Sequence, residues 1–267
     1  MELQRQSADI AKQGLGLAAI SYDSPETLKL FSRTRGITFP LIADPGSAMI
    51  RAYGILNQTV ERGSRFDGIP HPGTFILDRR GRIVARFFED AYQERYTAAT
   101  ILTAIGKGRT AAVTTATTPH LSARISISDT AAAPGERLSI VADLTPSSGV
   151  HVYAPGKHTY QVVNLAIDAQ PWLRAAPTIY PPSEIYHFKP LDERIEVYTK
   201  TARLRRDVTL LATPDAQKLL AGRASVAISG SLEYQACDDR LCFNPARIPF
   251  HFDLALNGLE RRPPGEK

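Results

Sequence analysis

His120-Leu-Ser-Ala-Arg-Ile-Ser-Ile-Ser128 sets Leu121, Ala123, Ile125 and Ile127 on alternate positions with polar or charged residues between them. A period of two buries one face of a β-strand and leaves the other to water. Arg137-Leu-Ser-Ile-Val-Ala-Asp-Leu144 repeats the alternation at Leu138, Ile140, Ala142 and Leu144. Residues 150–153, 160–167, 194–199, 208–211, 224–233 and 248–256 extend it, separated by Pro- and Gly-containing turns. Long helical periodicity is absent. Many short strands at this spacing predict an all-β, immunoglobulin-like sandwich over residues 120–256. The term covers architecture alone, because the Cys…Trp…Cys spacing of antibody domains is missing.

Upstream the period changes. Residues 2–12 have helical composition with Gly14 as a C-cap, and Leu15-Gly-Leu-Ala-Ala-Ile-Ser21 is a short apolar run. Ser24, Pro25 and Glu26 then supply an N-cap, a first-turn proline and a first-turn acid for a helix that Gly36 can end. Phe39–Asp44 reads as a strand, 47–53 as a helix, and 74–78 with 82–88 as a hairpin turning at Gly81. The Arg79-Arg80-Gly-Arg82 cluster reads as its solvated tip. A helix over 96–105 completes the order α-β-α-β-α-β-β-α, which suits a sheet covered by helices. The expected organisation is therefore an α/β domain over 1–105, a small, polar linker over 106–119, the β-domain over 120–256 and a polar tail over 257–267.

The chain's 267 residues suit two domains, and 43% apolar content gives each a core. The formal charge of +5 is modest; residues 1–118 carry fifteen Lys/Arg against eleven Asp/Glu. Neither half has a dense basic stripe with interleaved aromatics, which argues against nucleic-acid binding. No run approaches the roughly 18 apolar residues of a membrane helix, and the polar start shows no signal peptide.

Only two cysteines are present, Cys237 and Cys242, in Tyr234-Gln-Ala-Cys-Asp-Asp-Arg-Leu-Cys-Phe-Asn-Pro245. Any thiol chemistry must occur there. Facing residues of a tight hairpin approach to about 4.5–5.5 Å between Cα atoms, within reach of a disulfide. So small a loop gains little entropic stability from closure, which suggests a purpose other than stapling. Arg240 favours a thiolate here, whereas Asp238 and Asp239 oppose it.

Two resemblances follow from these residues. Gln13–Ser24, Phe39–Asp44 and His71-Pro-Gly-Thr-Phe-Ile-Leu-Asp78 are similar to the alkyl hydroperoxide reductase/thiol-specific antioxidant (AhpC/TSA, redoxin) branch of the thioredoxin fold. The resemblance makes Pro72 the cis-proline candidate. It also implies a reactive cysteine at a helix start, on a first βα unit that would lie before Met1. The domain is thus expected to be a truncated thioredoxin-like scaffold without its own nucleophile, from a longer redoxin.

Tyr234-Gln-Ala-Cys237…Leu241-Cys-Phe-Asn-Pro245, with Gly149-Val-His-Val-Tyr-Ala-Pro-Gly156, resembles the amino-terminal domain of the thiol:disulfide interchange family DsbD. That family's domain is an immunoglobulin-like sandwich which relays electrons between a membrane-embedded reductase and periplasmic thiol partners. The resemblance implies that Cys237 and Cys242 exchange electrons, with Cys242 as nucleophile; the charges of Asp238, Asp239 and Arg240 are expected to modulate it. It implies a cap over the pair within 181–190, with Phe188 first and Tyr186 second as the covering aromatic. Thioredoxin-fold or membrane-embedded thiol–disulfide proteins are the implied partners, in a periplasmic or other extracytoplasmic setting. No cofactor is expected.

Three rivals stand beside this reading. His151, His158, His187 and His251 could join the cysteines around a metal, but their spacing matches no usual zinc pattern, so no metal is expected. A peroxiredoxin-like antioxidant protein whose peroxidatic segment is missing is the second. The third is a non-catalytic β-sandwich module with a structural disulfide.

Overall fold

The computed structural model describes residues 2–64, 66–88, 94–108, 110–188 and 192–258. The chain forms two compact units, one running to Ile101 and the other beginning at Leu102.

The first unit is thioredoxin-like. Helices Glu2–Lys12, Pro25–Arg35 and Ala48–Ala52 alternate with strands Ala19–Ser21, Leu41–Ala43, Gly73–Leu77 and Ile83–Phe88. The Ser24 hydroxyl accepts from the Thr27 amide at 3.3 Å, Pro25 opens the helix, and Gly36 closes it at φ 62°. These are the signals the sequence carries: Ser24 and Gly36 satisfy backbone groups that a helix end leaves open, and Pro25 removes one donor that would be open. Asp78 holds the hairpin tip, accepting from the amides of Arg80 and Arg82 at 2.8 and 3.0 Å.

The sheet of this unit comes in two pieces: Ala19–Ser21 lies parallel to Leu41–Ala43, and Gly73–Leu77 lies antiparallel to Ile83–Phe88. Among its described residues only Ile10, Leu28, Ile50, Ala98 and Ile101 are buried apolar groups. The expected cis-proline is corrected. The His71–Pro72 bond is trans, as is every peptide bond among the described residues. Pro72 enters the extended strand that begins at Gly73, and trans is the lower-energy isomer of an X–Pro bond by about 0.5–1 kcal/mol.

The second unit is β-rich. One antiparallel sheet runs Leu173–Ala175, Ala202–Leu210, Glu136–Pro146, Leu121–Ile127, Ala112–Thr117. Another runs Asn164–Ile167, Ser225–Tyr234, Ala246–Leu256, Ala131–Ala132, with only the last pair parallel. Their inward residues, among them Ile125, Leu138, Leu204, Leu165, Ile228 and Phe250, form one buried cluster. Burying each such side chain contributes about 1.5–3 kcal/mol, so this shared layer dominates the unit's stability. A third sheet, Glu184–Phe188, Glu193–Tyr198, His151–Tyr153, Ala236–Cys237, carries the cysteine region.

Two local expectations are corrected. The segment expected to be a linker contains the strand Ala112–Thr117, paired along its whole length with Leu121–Ile127. Thr118 closes the turn, its hydroxyl accepting from the amides of His120 and Leu121. Threonine and valine favour extended backbone, and Ala112 and Ala116 pack on the core although they are too small to register as a hydrophobic stripe. The β-unit also holds a helix, Pro214–Leu220, capped by the Thr213 hydroxyl on the Ala216 amide. Most of the polar tail, and residues 189 and 190 of the expected cap, lie outside the described residues.

Candidate functional site

Cys237 ends the two-residue strand Ala236–Cys237, whose partner strand sets His151 directly opposite Cys237 and Val152 opposite Ala236. Cys242 returns on the far side of a four-residue loop. The cysteines are bonded to each other, with Cα atoms 4.1 Å apart. The loop is held by its own backbone: Asp238 N–H donates to Leu241 C=O at 3.0 Å, and Phe243 N–H to Ala236 C=O at 2.8 Å. The Asp238 carboxylate accepts from the amides of Arg240 and Leu241, each at 2.7 Å. Those amides, then the nearby Arg240 and His151, hold its pKa below the ordinary value. Asp238 is thus a loop-building residue.

The two cysteines differ in exposure. Cys237 is 1% exposed, whereas Cys242 is exposed. Tyr153, itself buried, places its hydroxyl 2.8 Å from the Cys237 sulfur and 3.1 Å from the Cys242 sulfur. Bonded sulfurs carry no proton, so the hydroxyl donates. Burial, followed by the charges of Tyr160, Glu193 and Tyr186, pushes the Tyr153 pKa up to about 12, which keeps the donor protonated. Its ring stacks on Tyr160 at 4.4 Å and 5°, and Tyr160 donates to Glu193 at 2.8 Å.

Tyr186 covers a second side. Its hydroxyl donates to Asp239 at 2.5 Å, which raises its pKa, and its ring lies 4.5 Å from that of His151. The second-choice cap aromatic therefore ties the hairpin Glu184–Phe188/Glu193–Tyr198 to the loop between the cysteines. Phe188 packs on the same buried cluster of Tyr153, Ile195, Val197 and Cys237. His151 is 5% exposed, and burial lowers its pKa against the opposing pull of Asp239 and Asp238. Arg240 stands exposed at the loop tip.

The other histidines have separate surroundings. The His158 ring lies against Tyr153 and Tyr160 and pairs with Ala154 C=O, His187 pairs with Asp192, and His251 bridges Ser229 and Asp253. No group of three His, Cys, Asp or Glu side chains suited to a metal occurs among the described residues. Pro72 belongs to the first unit.

Tyr153 and His151 are the site residues that periodicity conceals. In 150–153 they read as ordinary strand positions, and only the pairing of that strand with Cys237 reveals their role. The signal available in the sequence was their place in the Gly149–Gly156 motif, two residues apart and so on one face.

Residues 1–86 match the model of the AhpC/TSA family. A putative peroxiredoxin of Mycobacterium tuberculosis is 36% identical over 76 residues, 28% of this chain and 48% of that protein. Alkyl hydroperoxide reductase E of Mycobacterium bovis is 40% identical over 73 residues, 27% of this chain and 42% of the relative. Peroxiredoxin Bcp of Escherichia coli is 29% identical over 75 residues, 28% and 47% of the two chains. The chain spans about half the length of the curated relatives it matches. Its C-terminal part has solved neighbours. The N-terminal periplasmic domain of ScsB from Proteus mirabilis matches at TM-score 0.37 and 13% identity, over 55% of this chain and 52% of that one. The reduced N-terminal domain of DsbD from Neisseria meningitidis matches at TM-score 0.29 and 16% identity, over 45% and 78%.

Proposed function

We propose that the chain is a thiol–disulfide exchange protein whose Cys237–Cys242 pair passes two electrons to or from partner proteins. The observation that carries this reading is a disulfide between one exposed and one buried cysteine, both sulfurs within reach of a single tyrosine hydroxyl. Attack is directional in such a site. A partner thiolate approaches Cys242, the Cys237–Cys242 bond breaks, and a Cys242–partner disulfide forms. Cys237 leaves as a thiolate toward which the Tyr153 O–H points, and takes up a proton. A second partner thiolate then displaces Cys242, leaving the partner oxidised and the pair reduced by two electrons. The reverse sequence reduces a partner disulfide.

The supporting fold is an immunoglobulin-like sandwich in this reading, with two mainly antiparallel sheets facing one core. The partners are thiol–disulfide proteins, of thioredoxin fold or embedded in a membrane, outside the cytoplasm. No helix among the described residues is long and apolar enough to cross a membrane. Asp239 acts through Tyr186, and Arg240 offers a cation at the loop tip.

Trapping tests the assignment. Cys237→Ser should leave Cys242 able to hold a partner in a mixed disulfide, and Cys242→Ser should trap far less. Equal trapping by both variants, or none, sinks the scheme. A redox titration separates a structural bridge, expected below about −300 mV, from an exchanging one above it. The match over residues 1–86 supports a second reading, peroxide reduction, although no cysteine precedes Cys237. Turnover of hydrogen peroxide with dithiothreitol as reductant would favour that reading.

A further inference from the structure

The first unit contains a cleft that the exchange chemistry does not use. Residues 55–57 and 69–71 run together there, with His71 N–H donating to Ile55 C=O at 2.7 Å and Asn57 N–H to Ile69 C=O at 3.0 Å. Beside them the hairpin presents Phe75 and Phe88. Tyr53, Phe75 and Phe88 make an edge-to-face chain, with centroids 5.0 and 5.1 Å apart at 61° and 66°. With Ile55, His71 and Arg86 they line a concavity of about 410 Å³. That volume lies within the roughly 300–1,000 Å³ of small-molecule sites.

Gly73 shapes the wall. It pairs with Phe88, and a Cβ at this position would fall 2.2 Å from the Phe88 ring. The absence of a side chain lets the ring lie over the strand and keeps the cleft open. The three rings are only half-buried, so apolar surface faces the cavity. The rim is cationic: the exposed Arg86 guanidinium has no hydrogen bond or ion pair among the described residues, and none of the described lining residues is acidic. Planar rings inside, with a guanidinium and an imidazole at the edge, define the complement of one ligand type.

We propose that this cleft binds a small planar aromatic anion, its ring against Phe75 and its charged group on Arg86. Isothermal titration of the full chain with 2-naphthoate and with neutral 2-naphthylmethanol tests this. Saturable binding of naphthoate at one site is expected, about tenfold or more tighter than the alcohol, the contribution of a charge-assisted hydrogen bond. Arg86→Gln should abolish that preference while sparing the alcohol. Gly73→Val should weaken both ligands by displacing Phe88. Phe75→Leu serves the same purpose if Gly73→Val lowers the far-UV signal of the folded chain. Failure of naphthoate to saturate, equal affinity for the two probes, or indifference to Arg86→Gln overturns the proposal.

Discussion

Tyr153→Phe isolates the hydroxyl that touches both sulfurs. The ring, its stack on Tyr160 and its burial all remain, and only the O–H at 2.8 and 3.1 Å is lost. Against the bonded pair this is a neutral, weak hydrogen bond. Against the Cys237 thiolate that forms when Cys242 is attacked it becomes charge-assisted, a difference of the order of 1.5–3 kcal/mol. Because about 1.4 kcal/mol is tenfold in rate, reduction should slow about ten- to a hundredfold. Stopped-flow reduction by excess dithiothreitol, with the mixed disulfide counted by mass after acid quench, measures this step. The variant should melt within a few degrees of the parent, which separates chemistry from folding. A folded Tyr153→Phe protein that reacts within twofold of the parent would refute the assignment of Tyr153 to the leaving sulfur.

Four further outcomes are expected. Tyr186→Phe removes the bond to Asp239 and should speed reduction by a bulky dithiol protein such as reduced thioredoxin more than reduction by dithiothreitol; equal effects on the two reductants would count against a covering role. His151 has a folded pKa below the ordinary 6.5, so the unfolded chain binds the extra proton first as pH falls. Stability should therefore drop from about pH 6.5 downward until the lower folded value is reached, and His151→Gln should flatten that slope of urea midpoint against pH; an identical slope in the variant would exclude His151 as its source. Asp238 acts in the same sense: its contribution is present above the ordinary carboxylate value of 3.8 and lost as pH falls through the depressed one, so Asp238→Asn should lessen the acid sensitivity of the urea midpoint in that range, and an unchanged acid slope would exclude it as a contributor. Finally, hydrogen exchange should be faster in 19–21, 41–43 and 73–88 than in 121–127, 136–146 and 225–234, since two-stranded sheets are marginal alone; equal protection would contradict this.

What the chain discloses by itself depends on whether a signal is local. Ser24, Pro25 and Gly36 cap a helix by chemistry confined to a few residues, and the structure places all three in those roles. The buried alternation of Leu121, Ala123, Ile125 and Ile127 is equally local. Ala112–Thr117 was hidden because its identity as a strand comes from a neighbour, Leu121–Ile127. Thr213 and Pro214 did announce a short helix, but the strong surrounding β-pattern masked it. The cysteine pair was legible from its spacing and isolation. Tyr153 was not, because the contact joins residues 84 and 89 positions apart. The trans bond before Pro72 shows the converse, in which a family expectation yields to the extended entry of the strand it precedes.

The backbone ties across the loop do not depend on the sulfur–sulfur bond. Phe243 to Ala236, Asp238 to Leu241 and the Asp238 carboxylate on two amides brace the six-residue segment through bonds that involve neither sulfur, so a reduced pair is expected to keep its spacing. Each thiol therefore meets the other at a high effective molarity, with the entropy of ring closure already settled by the fold. A covalent adduct on Cys242 faces a rival nucleophile that is always at hand, so tethered partners should be short-lived and electrons should leave in pairs.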